Sequence, residues 1–363
     1  MTTPLEAEIR RRIALAGPMP VRQFMALCLG DPKHGYYMTR DPLGRAGDFI
    51  TAPEVSQMFG ELIGLWAAAA WHAMGQPEDV RLVELGPGRG TMMQDALRAA
   101  QAMPAFRKAL VVHLVEVSPV LRKRQEDTFK AIDVPILWHN AFEEVPDGPV
   151  IVLANEFFDA LPIHQAVKQI NGWYERMVGL DHQDDLAFTI ADEPIPLFDQ
   201  LLPKQVRDAP LGSLFEWRPD NLPLAIGRRI MRQGGAALVI DYGHLTSAPG
   251  ETLQAMGGHA FADPLGAPGE VDLTAHVDFQ ALTLAAESMG VRVHGPLEQA
   301  EFLRRMGIER RAAALKTAAP GKAADIDVAA ARLTGEGRTG MGKLFKAVAF
   351  TDPKIDALPG FVL

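Results

Sequence analysis

The feature that most constrains this chain is a glycine-rich turn set between a strand and a helix. Val80-Arg81-Leu82-Val83-Glu84-Leu85 reads as an apolar strand, Gly86-Pro87-Gly88-Arg89-Gly90 follows at once, and Thr91 opens a helical stretch. Three glycines at alternate positions let a backbone turn sharply and pass close to a ligand. In a doubly wound sheet such a turn lies at the carboxyl ends of the strands, where ligands bind. Dinucleotide folds use G-x-G-x-x-G, with a pyrophosphate at the helix N-terminus. Here the pattern is E-x-G-x-G-x-G, and the missing two-residue gap opposes a nicotinamide enzyme. An ordinary strand-to-helix turn is the bland alternative.

The surrounding chain has the periodicity of an α/β fold. Apolar strands are expected at 110–116, 136–138, 149–154 and 236–241, with helices at 91–103 and 119–131 between them. Strands that are apolar throughout belong to a parallel sheet covered on both faces. Ahead of them come two helices broken at Gly17-Pro18, a loop over 31–53 and one helix from about Pro53 to Met74. Residues 164–190 read as a β-meander, and 244–276 as a second insertion rich in Gly, Pro and Asp. A strand at 343–350 closes the chain.

Composition excludes several classes. With 363 residues, 48% hydrophobic and 22% charged, the chain is globular and long enough for a large core. A net charge of −9 opposes a protein that coats nucleic acid. The single cysteine, Cys28, rules out an internal disulfide and a Cys-rich zinc site, and its expected role is packing. The ten histidines show no metal-binding spacing, so no metal is expected. No run approaches the about 18 to 20 apolar residues of a membrane span. Arg10, Arg11 and Arg12 stand among acids, unlike an organelle presequence, so the default expectation is cytoplasmic.

Further candidates follow the strands. Glu84, Gly86, Gly88 and Gly90 resemble the first motif of class I S-adenosyl-L-methionine-dependent methyltransferases, where the turn faces the methionyl part of the cofactor. Glu116 ends the second strand, 26 residues after Gly90, near the roughly 20-residue spacing of a ribose-binding acid. Asn140 and Ala141 follow the third strand, where such enzymes contact adenine. Asn155-Glu156-Phe157-Phe158-Asp159 ends the fourth, and its carboxylates suit a guanidinium gripped by bidentate bonds. Core phenylalanines and helix-capping acids are the alternative there. Gly44 to Ser56 reads as a lid over the cofactor, with Asp48 and Thr51 as contacts. Thr51 and Glu54 also match a capping box.

Five motifs in order, G-D-F-I-T-A-P-E, V-E-L-G-P-G-R-G-T, N-E-F-F-D-A-L-P, I-D-Y-G-H and P-G-E-V-D-L-T-A-H-V-D-F, resemble the MidA family over about residues 17–350. The resemblance implies a doubly wound, Rossmann-like class I methyltransferase sheet with a helical N-terminal cap and an inserted substrate region. Residues 1–75 would form the cap and lid, 76–163 with 223–363 the core, 164–222 a β-rich insertion and 244–280 a second inserted loop. It implies S-adenosyl-L-methionine as cofactor, bound by Glu84, Gly86, Gly88, Gly90, Glu116, Asn140, Ala141, Asp48 and Thr51. Asn155, Glu156 and Asp159 would face the acceptor. The family's mitochondrial members symmetrically dimethylate an arginine on a core subunit of respiratory complex I, so a protein substrate of that kind is implied. One departure is Gln254, where family members often carry Arg.

The expected chemistry is direct displacement, in which a guanidinium nitrogen attacks the methyl in line. That step needs neither a metal nor a covalent enzyme intermediate, and position and orientation are worth about 7 to 11 kcal/mol in a well-aligned site. Two other classes stay open at this point: a small-molecule methyltransferase, and an assembly factor that binds the cofactor without catalysis. No nucleic-acid partner or membrane insertion is expected, and no oligomeric state is indicated.

Overall fold

The structure is a computed structural model that describes residues 2–41, 51–258, 260–337 and 340–362. The described residues form two compact units. One collects those of Met1–Phe49, Asp159–Pro219 and Leu245–Gln280, and the other those of Ile50–Phe158, Asp220–His244 and Ala281–Leu363.

The second unit holds the sheet. Its strands are β1 (Val80–Leu85), β2 (Leu110–Val115), β3 (Ile136–His139), β4 (Val150–Asn155), β5 (Gly235–His244), β6 (Arg292–Glu298) and β7 (Phe345–Thr351), in the spatial order β6-β7-β5-β4-β1-β2-β3. β1 to β5 pair in parallel, whereas β7 runs antiparallel to both β5 and β6. The antiparallel closing strand is a feature that its apolar sequence alone does not show. The chain runs from β1 outward through β2 and β3, then returns to place β4 on the other side of β1. This reversal is the topological switch point, and ligands bind outside the carboxyl ends of the strands there.

Both sheet faces are buried. Leu82, Val112, Leu114, Ile151, Leu153, Leu238, Ile240, Ala347 and Ala349 alternate along their strands into one core, while Val83, Leu85, Val152 and Val239 are buried between them. The apolar run expected to form one helix from Pro53 to Met74 is instead broken. A single turn spans Ala52–Val55, Ser56 is extended (φ −164°, ψ 140°), and helix α1 runs Gln57–Ala73. Ser56 acts as an N-cap, its hydroxyl accepting from the Met58 N–H at 3.2 Å, which satisfies a donor that the helix cannot. α1 packs on α2 (Thr91–Ala100). A Cβ on Gly60 would meet Asp95 Cβ at 2.6 Å, and one on Gly64 would meet Ala96 Cα at 2.6 Å, so small residues let these helices touch backbone to backbone. α2 also ends earlier than the expected Met103, because Pro104 disfavours a helical residue before it.

The first unit is antiparallel. Helices Pro4–Ala16 and Val21–Gly30 share a core with strands Gly172–Leu180 and Asp272–Thr274. The meander pairs His164–Gln169 with Gly172–Leu180, and Gly172–Leu180 with Leu186–Pro194. Cys28 is buried in this core, where burial pushes its thiol far up, so it is a packing residue. No described helix is long and apolar enough to cross a membrane.

Candidate active site

The glycine turn leaves β1 through three left-handed residues, Gly86 (φ 60°), Gly88 (φ 55°) and Gly90 (φ 80°). Side chains rarely adopt this conformation, and space is also lacking. A Cβ on Gly86 would lie 2.6 Å from the Phe157 ring, and one on Gly90 2.6 Å from the Phe129 ring. The Gly86 N–H donates to Val115 O at 3.0 Å, which holds the turn against the end of β2.

Glu116 follows β2 and is buried. Its Oε1 accepts from the Ser118 N–H at 2.8 Å and its Oε2 from Gln125 Nε2 at 3.2 Å. Burial raises its pKa, and these donors partly offset the rise. Glu84, inside β1, is only 3% exposed, and its Oε2 has no hydrogen-bond partner. Burial pushes its carboxyl well above the ordinary range, and the nearby charge of Glu116 adds to this. Two buried acids of this kind favour a cationic ligand, which restores the ionised form that burial disfavours.

Asn140 and Ala141 follow β3. Asn140 is exposed, its N–H donates to Glu144 Oε2 at 2.8 Å, and its Oδ1 accepts from Arg122 at 3.0 Å. Arg122 also donates to Glu116 O at 2.7 Å and to His139 O at 2.9 Å, clamping the ends of β2 and β3. Sequence reading gave Arg122 no role, since its three acceptors come together only when the sheet forms.

The turn after β4 is strained and tightly held. Glu156 adopts φ +49°, a conformation unusual for a side-chain-bearing residue. Its Oε1 accepts from the Ala52 N–H at 2.8 Å and from Asn155 Nδ2 at 3.1 Å. Asn155 Oδ1 is buried without a partner. Beneath the turn, the fully buried Asp241 of β5 takes the N–H groups of Phe157 (3.1 Å) and Phe158 (2.9 Å) on Oδ2 and that of Tyr242 (2.9 Å) on Oδ1.

The expected capping box at Thr51 is not formed. Thr51 makes no side-chain cap bond, and Glu54 Oε1 instead accepts from the Thr91 hydroxyl at 2.5 Å, so the glycine turn's helix competes successfully for that carboxylate. Asp48 lies outside the described residues. Asp159 folds with the first unit, where its carbonyl accepts from Arg218 at 3.0 Å and from the Ala275 N–H at 3.1 Å. In that unit Gln254 Nε2 donates to Thr274 Oγ1 at 3.3 Å across two paired strands.

Comparison with known proteins decides the family. Residues 62–297 match a family model described as "Putative S-adenosyl-L-methionine-dependent methyltransferase". The chain belongs to this family. It is therefore an S-adenosyl-L-methionine-dependent methyltransferase. A Drosophila melanogaster relative, named mitochondrial protein arginine methyltransferase NDUFAF7 homolog, is 38% identical over 337 residues, covering 85% of this chain and 76% of that protein. The human protein of the same name is 38% identical over 335 residues, covering 85% and 74%. A Burkholderia thailandensis protein crystallised with S-adenosyl-homocysteine superposes with a TM-score of 0.85 at 29% identity, covering 98% of this chain and 93% of that one.

The cytoplasmic expectation is corrected by these relatives, which are named mitochondrial. The family's cofactor fits the residues present. The glycine turn admits a closely approaching ligand, and Glu84 Oε2 is a buried acceptor that lacks a donor from the protein. A buried acceptor left unmet is costly, so a cofactor that supplies donors suits it.

Proposed function

We propose that this methyltransferase modifies an arginine side chain of a protein, with a core subunit of respiratory complex I as acceptor. The observation that carries the reading is the turn after β4, where Glu156 is held at φ +49° beside the unpartnered Asn155 Oδ1. A guanidinium is a planar fork of N–H donors that matches acceptors held rigidly in this way. The relatives' names as protein arginine methyltransferases support the same acceptor. The resemblance to the MidA family supports complex I.

We assign Gly86, Gly88 and Gly90 to the methionyl part of the cofactor, Glu84 to its cationic groups, Glu116 to the ribose, and Asn140 with Ala141 to the adenine. Thr51 and Asp48 complete the cofactor side. Asn155 and Glu156 hold the acceptor, and Asp159 keeps the acceptor role that the family pattern gives it. Segments 164–222 and 244–280 are assigned to recognition of the protein substrate. When bound, S-adenosyl-L-methionine supplies a methyl group on a sulfonium. The residues named here supply orientation, which is the main catalytic resource for a displacement of this kind.

The test is incubation with methyl-labelled cofactor and a cell lysate, followed by mass spectrometry of labelled products. The expected result is a labelled arginine on a complex I core subunit. Label in a small metabolite, with none in protein, overturns the reading.

A further inference from the structure

Gln125 lies on helix α3 (Pro119–Phe129) at 0% exposure, and the cofactor assignment above gives it no part. Its side-chain amide makes three hydrogen bonds. Trp138 Nε1 donates to Oε1 at 2.8 Å, while Nε2 donates to Gly88 O at 2.7 Å and to Glu116 Oε2 at 3.2 Å. An indole N–H can only donate, so Trp138 fixes which end of the amide is oxygen and turns both amide hydrogens toward the other two partners. Those partners are the glycine turn after β1 and the acid after β2, and Trp138 lies in β3. One buried side chain thus braces the carboxyl ends of three adjacent strands.

We propose that Gln125 is a positioning residue for the cofactor's ribose, setting the Glu116 carboxylate and the Gly88 peptide as one rigid group, with Trp138 locking the direction of the brace. The proposal rests on the reading that Glu116 takes the ribose hydroxyls. The Ser118 N–H holds Glu116 Oε1 and Gln125 holds Oε2, so both oxygens are pinned and each retains acceptor capacity for a diol. Without Gln125 the carboxylate is held by backbone N–H groups alone, so its terminal torsion, which is broad for such groups, is less constrained. The glycine turn also loses its side-chain tie at Gly88.

The experiment is calorimetric binding of S-adenosyl-homocysteine and its 2′-deoxy analogue to the full chain, its Gln125→Met variant and its Trp138→Phe variant. A hydrogen bond to a charged group is worth roughly tenfold or more in affinity, so the native protein binds the deoxy analogue about that much more weakly. In Gln125→Met, S-adenosyl-homocysteine binding weakens by about tenfold and the deoxy penalty shrinks below about threefold. The KM for the cofactor rises while kcat at saturation holds. Trp138→Phe shifts the deoxy penalty in the same direction by less. Equal weakening of both ligands in Gln125→Met, with the penalty unchanged, makes Gln125 a packing residue and overturns the proposal. If Gln125→Met does not fold, an unchanged penalty in Trp138→Phe overturns it. If the native protein shows no penalty, the Glu116 assignment itself fails and the proposal falls with it.

Discussion

Glu156→Gln isolates the charge of the carboxylate assigned to the acceptor. The two side chains have nearly the same shape, and both sit at φ +49°, so the backbone strain cancels in the comparison. The amide oxygen of Gln can still accept from the Ala52 N–H and from Asn155, now 2.8 and 3.1 Å from Oε1. These bonds weaken from charge-assisted to neutral, which costs about 0.5–1.5 kcal/mol of stability. The acceptor loses more, because Gln offers one acceptor oxygen where the carboxylate offers two. A charge-assisted bond to the guanidinium is worth about 1.5–3 kcal/mol, so turnover falls about 10- to 150-fold. Affinity for S-adenosyl-homocysteine stays within about threefold, since the change is below half a decade of binding energy. Initial rates with labelled cofactor and a methylatable protein give the first quantity, and calorimetry the second. Native turnover in the Gln variant refutes the acceptor role. Turnover and cofactor affinity falling in parallel moves Glu156 to the cofactor side.

Gly86→Ala forces a side chain into the left-handed region and into the Phe157 ring. The expected cost is about 1–3 kcal/mol in urea unfolding, with at least a tenfold loss of S-adenosyl-homocysteine affinity by calorimetry; an unchanged variant shows the turn to be tolerant and uninvolved. Asp241→Asn deprives the Phe157, Phe158 and Tyr242 N–H groups of at least one acceptor, so about 1–3 kcal/mol of stability is lost. Its kcat should fall more than its cofactor affinity, and a loss confined to affinity contradicts the proposed support of Glu156. His113 is held neutral chiefly by burial, then by His139, Arg81 and Arg229 against Asp79, with its pKa lowered to about 4 from 6.5. The unfolded chain therefore protonates first as pH falls, and this group's contribution, present above pH 6.5, declines by at most about 3 kcal/mol down to pH 4. Replacing His113 by Phe should flatten that part of the slope in urea unfolding between pH 7 and 4, and an unchanged slope refutes the assignment.

The candidate site was legible in the sequence wherever it is local. The glycine turn, Glu116, Asn140 and the turn Asn155–Glu156 each follow a strand that its own apolar pattern reveals, and in a parallel sheet every such position falls at one end. Legibility failed where partners are distant in the chain. Gln125 reaches Gly88 across 37 residues, Asp241 reaches Phe157 across 84, and Ala52 reaches Glu156 across 104. Thr51 and Glu54 matched a capping box, yet Glu54 bonds Thr91, 37 residues away, which no local pattern encodes. The break at Ser56 carries no glycine or proline to mark it, so residues 53–74 read as one continuous helix.

By itself the sequence determined the repeating strand-and-helix core, the glycine-rich turn and the acids that follow its strands. These depend on periodicity and backbone preference over a few residues. Only the tertiary structure decided that β7 enters antiparallel between β5 and β6, that Glu156 is held strained on a floor made by Asp241, and that one glutamine joins three strand ends. Those outcomes depend on which buried donor finds which buried acceptor, and that pairing is fixed only when distant segments are desolvated together.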